Sequence, residues 1–590
     1  MTEQPLAILS RRQSVGWFIA TVLASFLGVY CLLSTRQATS GTFDESNHLA
    51  CGIEWWQFGS YTQWTENPPL PRVAIAALPY LFGTRLPPQV EWDPKTHEWD
   101  RSWEMGADLL YGGDGYETNL RRARWGTLPF FLLALLSVWG LAGGRRSPAV
   151  GFISVALTAT LPVLTAHGAL ATTDIAFVGT FLLATLALWR WFASPIWGRA
   201  MGLGASVGLA LLCKFSTLAF FPALVAAVLL ARRLSKTPVL PRWRNERLLT
   251  RRLILQVVGM LMAGFLVTWA GYRFSVGRIE DLASEVKDWL PLVPGVGARS
   301  AFESVWLHAT LPMPELFHGL RFLAAHNRVG HEAYLLGWIS PFGFKTFYLI
   351  ALLVKTPLPF LVLCLLSLPV IVQRRARQWP ALAFLLAATG ILLVSLASHV
   401  NIGIRHVAVI LPLLAVATAL AIGTHLERKA AVHRWLVPAI VGVLLLAQTT
   451  IAVRNRATAI GYFNALAGPE PAKVLLDSDL DWGQDLFALR REANARGIED
   501  LTIAFFGTLR QCQHQLPKLT ALEPGKPATG WIAISENYYQ ERSTFQLLKD
   551  PCQPKSAYGE KDAPFKPFAW LHAHKPVAIV GSSVRLYYVP

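Results

Sequence analysis

The sequence is short of charge. Only 15% of its residues are Asp, Glu, Lys or Arg, against about 25% in a soluble globule, which excludes an ordinary water-soluble domain. Acidic residues are the scarcer kind, 37 against 54 basic ones, for a net charge of +17. Such an excess would suit nucleic acid, but the basic residues cluster in short segments between apolar runs. Membrane topology accounts for that pattern better, and no nucleic-acid partner is expected. Cysteine is also rare: six residues, with no CxxC pair and no Cys/His zinc spacing, so no structural metal site is expected. There is no internal repeat, a feature of many transporters. The Gly-rich fragment YGGDGYE at 111–117 lacks the strand and the Lys-Ser of a phosphate loop, and reads as a flexible turn.

What the sequence has in quantity is long apolar runs. A span needs about 20 mainly apolar residues. Candidates lie at 15–34, 126–143, 149–166, 174–193, 200–213, 215–231, 254–274, 350–373, 379–398, 404–423 and 435–453, eleven in all, with 200–213 the shortest. The first reads as an uncleaved signal anchor behind Arg11 and Arg12, being too long and lacking an A-x-A exit for a signal peptide. With the N-terminus inside, every basic cluster falls on the inner side: Arg145/Arg146, Arg190 to Arg199, Arg232 to Arg252, Arg374 to Arg377 and Arg428 to Arg434. The span count and the orientation therefore support each other. A first loop at 36–124, a second at 275–345 and the tail from 454 to 590 then lie outside the cytoplasm.

The expected fold is an α-helical polytopic membrane domain, 1–453, followed by a separate extracytoplasmic α/β domain, 454–590. In the tail, AKVLLDSD and LTIAFFG read as strands flanking an amphipathic helix from Gln484 to Ala495, with WIAIS, PVAIV and VRLYYV as further strands. Cys512 and Cys552 face an oxidising compartment and are compatible with a disulfide. Cys31, Cys213 and Cys364 lie in spans and read as packing residues.

A few ionisable residues remain after the solvated loops are set aside, and they share the outer face. Asp44 and Glu45 follow span 1, Asp174 opens span 4, and Lys214 sits in an outer turn. Arg405 and His406 open span 10, and Lys355 precedes a further apolar run. Any one of them alone is compatible with a residue snorkelling from a helix end. Acids and bases converging on one side are better read as a functional site. An aspartate can take a proton from an acceptor as general base, and Lys and Arg can bind a phosphate and the charge it gains on leaving. The set suits transfer from a phosphate-linked donor, with an isoprenoid tail among the helices.

At this point the sequence resembles a known family. FDESNH after span 1, the ENPPLPR that follows, ATTD before span 4 and the lysine of CKFS resemble membrane glycosyltransferases of the GT-C fold, in the protein O-mannosyltransferase and aminoarabinose-transferase-like group. GHEAYLLGWISPFGFKTFYLIALLVKTPLP, NIGIRHVAVILP and DSDLDWGQDL are similar to segments of bacterial relatives. The resemblance covers the chain to about residue 490. It implies a polyprenyl-phosphate-sugar donor and direct, inverting transfer at the outer face of the inner membrane. The acceptor, a protein, lipid A or another glycan, stays open. Asp44 is the implied base, with Glu45 supporting it or orienting the acceptor and Asp174 as the second acid. Lys214, Arg405, Lys355 and Arg72 are candidates for the donor phosphate. Arg72 stands in for the His or Lys that the family often has where this chain has Asn67. The scheme requires no nucleotide or metal cofactor, although an acid pair can recruit a divalent ion.

Other residues carry two readings each. His48, one helical turn from Asp44, can bond the acid or ligate a metal, or be a packing residue. Trp55, Trp56, Tyr61 and Trp64 can stack on a sugar or form an interfacial belt. Pro68, Pro69 and Pro71 break any long helix, and the run Val73 to Phe82 is expected along the membrane interface. DSDLDWGQD lacks the glycine that a calcium-binding EF-hand loop needs at position 6, where Trp482 stands, and is expected to cap the next helix. The rival readings are a transporter or lipid flippase, which would spread charge through the bilayer depth, and a carbohydrate sensor.

Overall fold

Apolar runs in a bilayer must satisfy their backbone hydrogen bonds internally, so they become helices. The structure, a computed structural model, describes residues 11–87, 101–238, 246–279, 308–426, 431–540, 547–552 and 566–590. Among these, six helices are long and apolar enough to cross a membrane: 12–38, 116–141, 174–193, 217–234, 251–271 and 435–454. Two further expected spans are bent pairs. Pro148–Ala159 and Pro162–Ala169 meet at 62°, and Phe347–Lys355 and Leu358–Gln373 at 110°. A proline lies at each break, Pro162 opening one second half and Pro357 preceding the other, where its missing N–H and its clash with the preceding turn cost a helix interior most. Trp379–Ser395 and Ile410–Leu426 are shorter apolar helices. The chain is thus a multi-pass membrane protein. The shortest expected span, 200–213, is the 15-residue helix Trp197–Leu211. It packs closely on Glu246–Gly271 through small residues, since a Cβ at Gly204 would lie 2.1 Å from the Met260 carbonyl oxygen. The basic stretches at 239–245 and 427–430 lie outside the described residues.

Beyond helix α1 (Arg11–Ala38), the described residues of the expected first loop form helices α2 (Glu45–Phe58), α3 (Pro69–Leu81), α4 (Arg101–Tyr111) and α5 (Tyr116–Trp125), the last running on into the 116–141 span. Helix α3 contains most of the expected interfacial run. It starts where Pro68 to Pro71 place prolines at the N-terminal positions a helix tolerates, and it leaves Leu81 and Phe82 exposed at its end.

The tail holds a five-stranded sheet in the order Lys518–Ala521, Asp500–Ala504, Gly530–Ser535, Val584–Val589, Ala578–Val580. The first two junctions are parallel and the last two antiparallel. Cys512 and Cys552 are joined by a disulfide. Two expectations for the tail need correction. AKVLLDSD is not a strand: Pro471–Lys473 and Asp477–Asp479 are single 3-10 turns, because this segment is wedged against the membrane helices instead of paired in the sheet. Nor is the tail a separate body. Leu486, Leu489, Leu501, Ile503 and Leu586 share one buried core with Leu49 and Ile53 of α2, Ile75 of α3, Leu109 of α4 and Leu120 of α5.

Candidate active site

Asp44 and Glu45 enter two different networks. The Glu45 carboxylate receives Arg124 through Nε and Nη2, both at 2.8 Å, the Ala171 backbone N–H at 2.7 Å and the Thr42 N–H at 2.8 Å. Arg124 spends its other donors on the carbonyls of Arg36 (2.9 Å), Thr39 (2.9 Å) and Ser40 (2.7 Å). Both side chains are 1% exposed. Burial pushes the Glu45 carboxyl up, but Arg124 and the two backbone donors outweigh it and hold the group below its ordinary range. Glu45 therefore ties the end of α1, helix α5 and the ATTD turn together beneath Asp44. With its lone pairs filled, it has none left over for a ligand.

Asp44 belongs to an open chain of charges. Arg405 Nη1 donates to Asp44 Oδ2 at 3.1 Å and lies 3.6 Å from Asp174 Oδ2, while Lys214 Nζ donates to Asp174 Oδ1 at 2.9 Å. Four distant segments thus deliver acid, base, acid and base along the chain of contacts: the start of α2, the 3-10 turn Ile404–Val407, the first turn of Asp174–Ala193 and the turn before Thr217–Leu234. Asp44 is the most accessible member, with 23% of its side chain exposed, and Asp174 the least, at 1%. Arg405 Nε and Asp174 Oδ2 are buried without a hydrogen-bond partner among the described residues. Polar atoms are seldom left so, and these two are the hydrogen-bonding capacity that the charge chain leaves unspent. Burial raises the Asp44 carboxyl, and Arg405 offsets this only in part. A base poised above the usual aspartate range suits proton abstraction.

The other expected site residues are placed as follows. His406 lies on the same 3-10 turn as Arg405, within electrostatic reach of Lys214, Arg405 and Asp174. His48 is buried beside the cluster but bonds elsewhere, accepting from Arg72 Nε at 3.1 Å through Nδ1. Burial, with Arg72 next to it, pushes this imidazole well below its ordinary value. Arg72 is fully buried. Its remaining donors go to Tyr61 Oη (3.0 Å), the Trp64 carbonyl (2.8 Å) and Asn47 Oδ1 (2.7 Å), so it braces the loop instead of meeting a phosphate. Lys355 is likewise spent internally, on the carbonyls of Ile460 (2.7 Å) and Asp479. Trp55 and Trp56 anchor their indole N–H groups on the carbonyls of Gly271 and Val73, at 2.8 and 2.9 Å. Trp64 packs edge-on against Trp103 and Phe322, and the Asn67 carbonyl accepts from Tyr61.

The tail supplies what reading along the sequence missed. The Trp482 ring lies 4.1 Å from the Arg405 guanidinium carbon, and Asp479 Oδ1 accepts from the Ile404 N–H at 3.1 Å. The stretch DSDLDWGQD carried the signal, but it reads locally as a helix cap. Asp485 does stand at the N-cap position, yet its carboxylate bonds Ser582 and Ser583 instead of the helix. A second acid–imidazole chain uses the glutamate of ENPPLPR: Glu66 Oε1 meets His326 Nδ1 at 2.7 Å, and His326 Nε2 meets His331 Nδ1 at 3.1 Å.

Residues 117–241 match the model of the dolichyl-phosphate-mannose-protein mannosyltransferase family. That segment contains Arg124, Asp174 and Lys214, and the match agrees with the resemblance carried by the sequence motifs. No curated protein matches the chain in sequence. Among solved structures, ArnT from Cupriavidus metallidurans bound to undecaprenyl phosphate aligns with a TM-score of 0.46 at 13% identity, over 97% of this chain and 98% of that one. Its apo state gives 0.47 at 13% identity, with the same coverage. The archaeal oligosaccharyltransferase AglB from Archaeoglobus fulgidus, in complex with an inhibitory peptide and a dolichol-phosphate, gives 0.43 at 13% identity, over 76% of this chain and 56% of that one.

Proposed function

We propose that this chain is a GT-C glycosyltransferase that moves a sugar, with inversion, from a polyprenyl-phosphate donor to a hydroxyl or amine acceptor. The observation that carries the reading is the open chain Asp44–Arg405–Asp174–Lys214, with a partly accessible carboxylate at one end and a lysine at the other. The family match over Asp174 and Lys214 supports it.

Asp44 takes the proton from the acceptor as the acceptor's oxygen or nitrogen bonds to the anomeric carbon. The bond from that carbon to the phosphate oxygen breaks on the opposite face, and its electron pair leaves with the polyprenyl phosphate. Arg405, through its unused Nε–H, and Lys214 receive the added negative charge, while Asp174 holds both cations at the right spacing. The site faces the periplasm or cell exterior of an inner-membrane protein. A hexose or pentose donor, and a protein, lipid A or glycan acceptor, are the classes to screen.

The test is release of labelled sugar from polyprenyl-phosphate hexoses and pentoses by the purified protein, with Asp44→Asn as control. Release by the wild type and its loss in the variant are expected. Full release by Asp44→Asn would remove the base assignment.

A further inference from the structure

The tail does not only lie against the membrane domain; it is bonded to the segment that carries Asp44. The Phe43 N–H donates to the Trp482 carbonyl at 3.0 Å, the Ser40 N–H to the Gln484 carbonyl at 2.9 Å, and the Leu486 N–H to Ser40 Oγ at 3.1 Å. Residues 40–43 and 482–486 therefore run as a short bonded ladder. The Phe43 ring stacks on Phe506 with centroids 5.6 Å apart, and Thr508 Oγ1 donates to the Phe43 carbonyl at 3.2 Å.

Trp482 acts twice in this arrangement. Its carbonyl fixes the residue immediately before Asp44, and its ring carries the Arg405 guanidinium that pairs with Asp44. The ring is 2% exposed and has the His167 imidazole at 6.0 Å, edge-on. A guanidinium over a desolvated indole is held in place by the ring quadrupole without using up its N–H donors. That matters here, because Arg405 needs those donors for Asp44 and for the incoming phosphate. Asp479, three residues before Trp482, fixes the Ile404 N–H next to Arg405, and Ser478 Oγ donates to the Ile402 carbonyl. The tail thus grips Arg405 from its backbone and its side chain together.

We propose that Trp482 is a positioning residue that sets the Asp44–Arg405 pair, so that the tail completes the active site. This rests on the glycosyltransferase reading above, but its binding test does not need turnover. Besides Arg405, Asp44 is faced by Asp174 from the first turn of Asp174–Ala193 and by Asp477 from the tail. Both are acids that favour its protonated form, and Arg405 opposes them. Releasing Arg405 therefore raises the pH at which Asp44 gives up its proton.

The experiment is a double-mutant cycle on the full-length protein with Trp482→Leu and Arg405→Lys. It is read as affinity for undecaprenyl phosphate, as turnover of an undecaprenyl-phosphate-linked sugar, and as the pH profile of that turnover. Trp482→Leu is expected to lower affinity and turnover roughly tenfold to thirtyfold and to move the acid limb to higher pH. Trp482→Phe recovers most of the loss. The double variant should be no worse than Arg405→Lys alone, because both changes remove one arrangement. Losses that simply multiply, or an acid limb that stays in place, overturn the proposal. If Trp482→Leu does not yield folded protein, Trp482→His carries the same cycle. Coupling in phosphate affinity without turnover by the wild type would sink the assigned reaction and leave the positioning role standing.

Discussion

Glu45 and Asp44 are neighbours in sequence, and both meet an arginine, but their surroundings are opposites. Glu45–Arg124 is closed: the carboxylate is filled by five donors, Thr42 Oγ1 at 3.2 Å among them, and the guanidinium is spread over three carbonyls and the acid. Asp44–Arg405–Asp174–Lys214 is open: it is partly exposed at Asp44 and leaves Arg405 Nε and Asp174 Oδ2 unbonded. A closed buried pair fixes geometry, and removing one partner strands the other charge. An open one keeps valence for a ligand. The difference lies in satisfaction and exposure, not in the kind of charge.

The largest effect is expected from the open side. Asp44→Asn should cut sugar transfer by on the order of 10³-fold while leaving the melting behaviour in detergent near wild type, since a general base contributes about 10²–10⁴. A variant that lost its fold instead would put Asp44 in the same class as Glu45. Next comes the closed side. Arg124→Ala should destabilise by roughly 3–5 kcal/mol, because it leaves Glu45 buried and unpaired, and the loss should appear in thermal or denaturant unfolding. Normal stability with lost activity would break the comparison. Lys214→Gln is expected to weaken polyprenyl-phosphate binding by roughly tenfold to a hundredfold, the worth of a charge-assisted bond of about 1.5–3 kcal/mol, as measured by titration with undecaprenyl phosphate.

The mildest perturbation is acid. Asp44 must be ionised to act, and burial raises its carboxyl, so transfer should fall off at a pH above the ordinary aspartate value of about 3.9. Glu45 is held below its ordinary value. Its stabilising contribution is complete above the unfolded value of about 4.3 and is lost only as pH falls through the lowered one. Activity should therefore disappear on acidification before this part of the fold loosens. Simultaneous loss of transfer and of tertiary signal would contradict that order.

The membrane pattern was legible because hydropathy and basic clusters are local properties. The convergence of Asp44, Asp174, Lys214 and Arg405 was legible only as a shared side of the membrane, and the structure joins them by actual bonds across as many as 361 positions in sequence. Arg124 was not legible at all. It looks like one of several solvated arginines in YETNLRRARW, and nothing nearby announces a buried carboxylate 79 residues away. The same holds for Arg72 and Lys355, which sequence position offers to a phosphate and tertiary packing spends on side chains and backbone carbonyls. The bends are hard to read in sequence because each span keeps an apolar average across its proline, Pro162 in one and Pro357 in the other, even with Lys355 beside the second. The tail strands were legible by alternation, whereas their docking on the first loop depends on a core assembled from both.

The ladder between residues 40–43 and 482–486 has a consequence for how the protein comes into being. The carboxylate proposed as base is synthesised well before the indole and carbonyl that hold its surroundings, which follow some 440 residues later. If the proposed reading holds, the Asp44–Arg405 pair is complete only in a chain long enough to include residues 482–486.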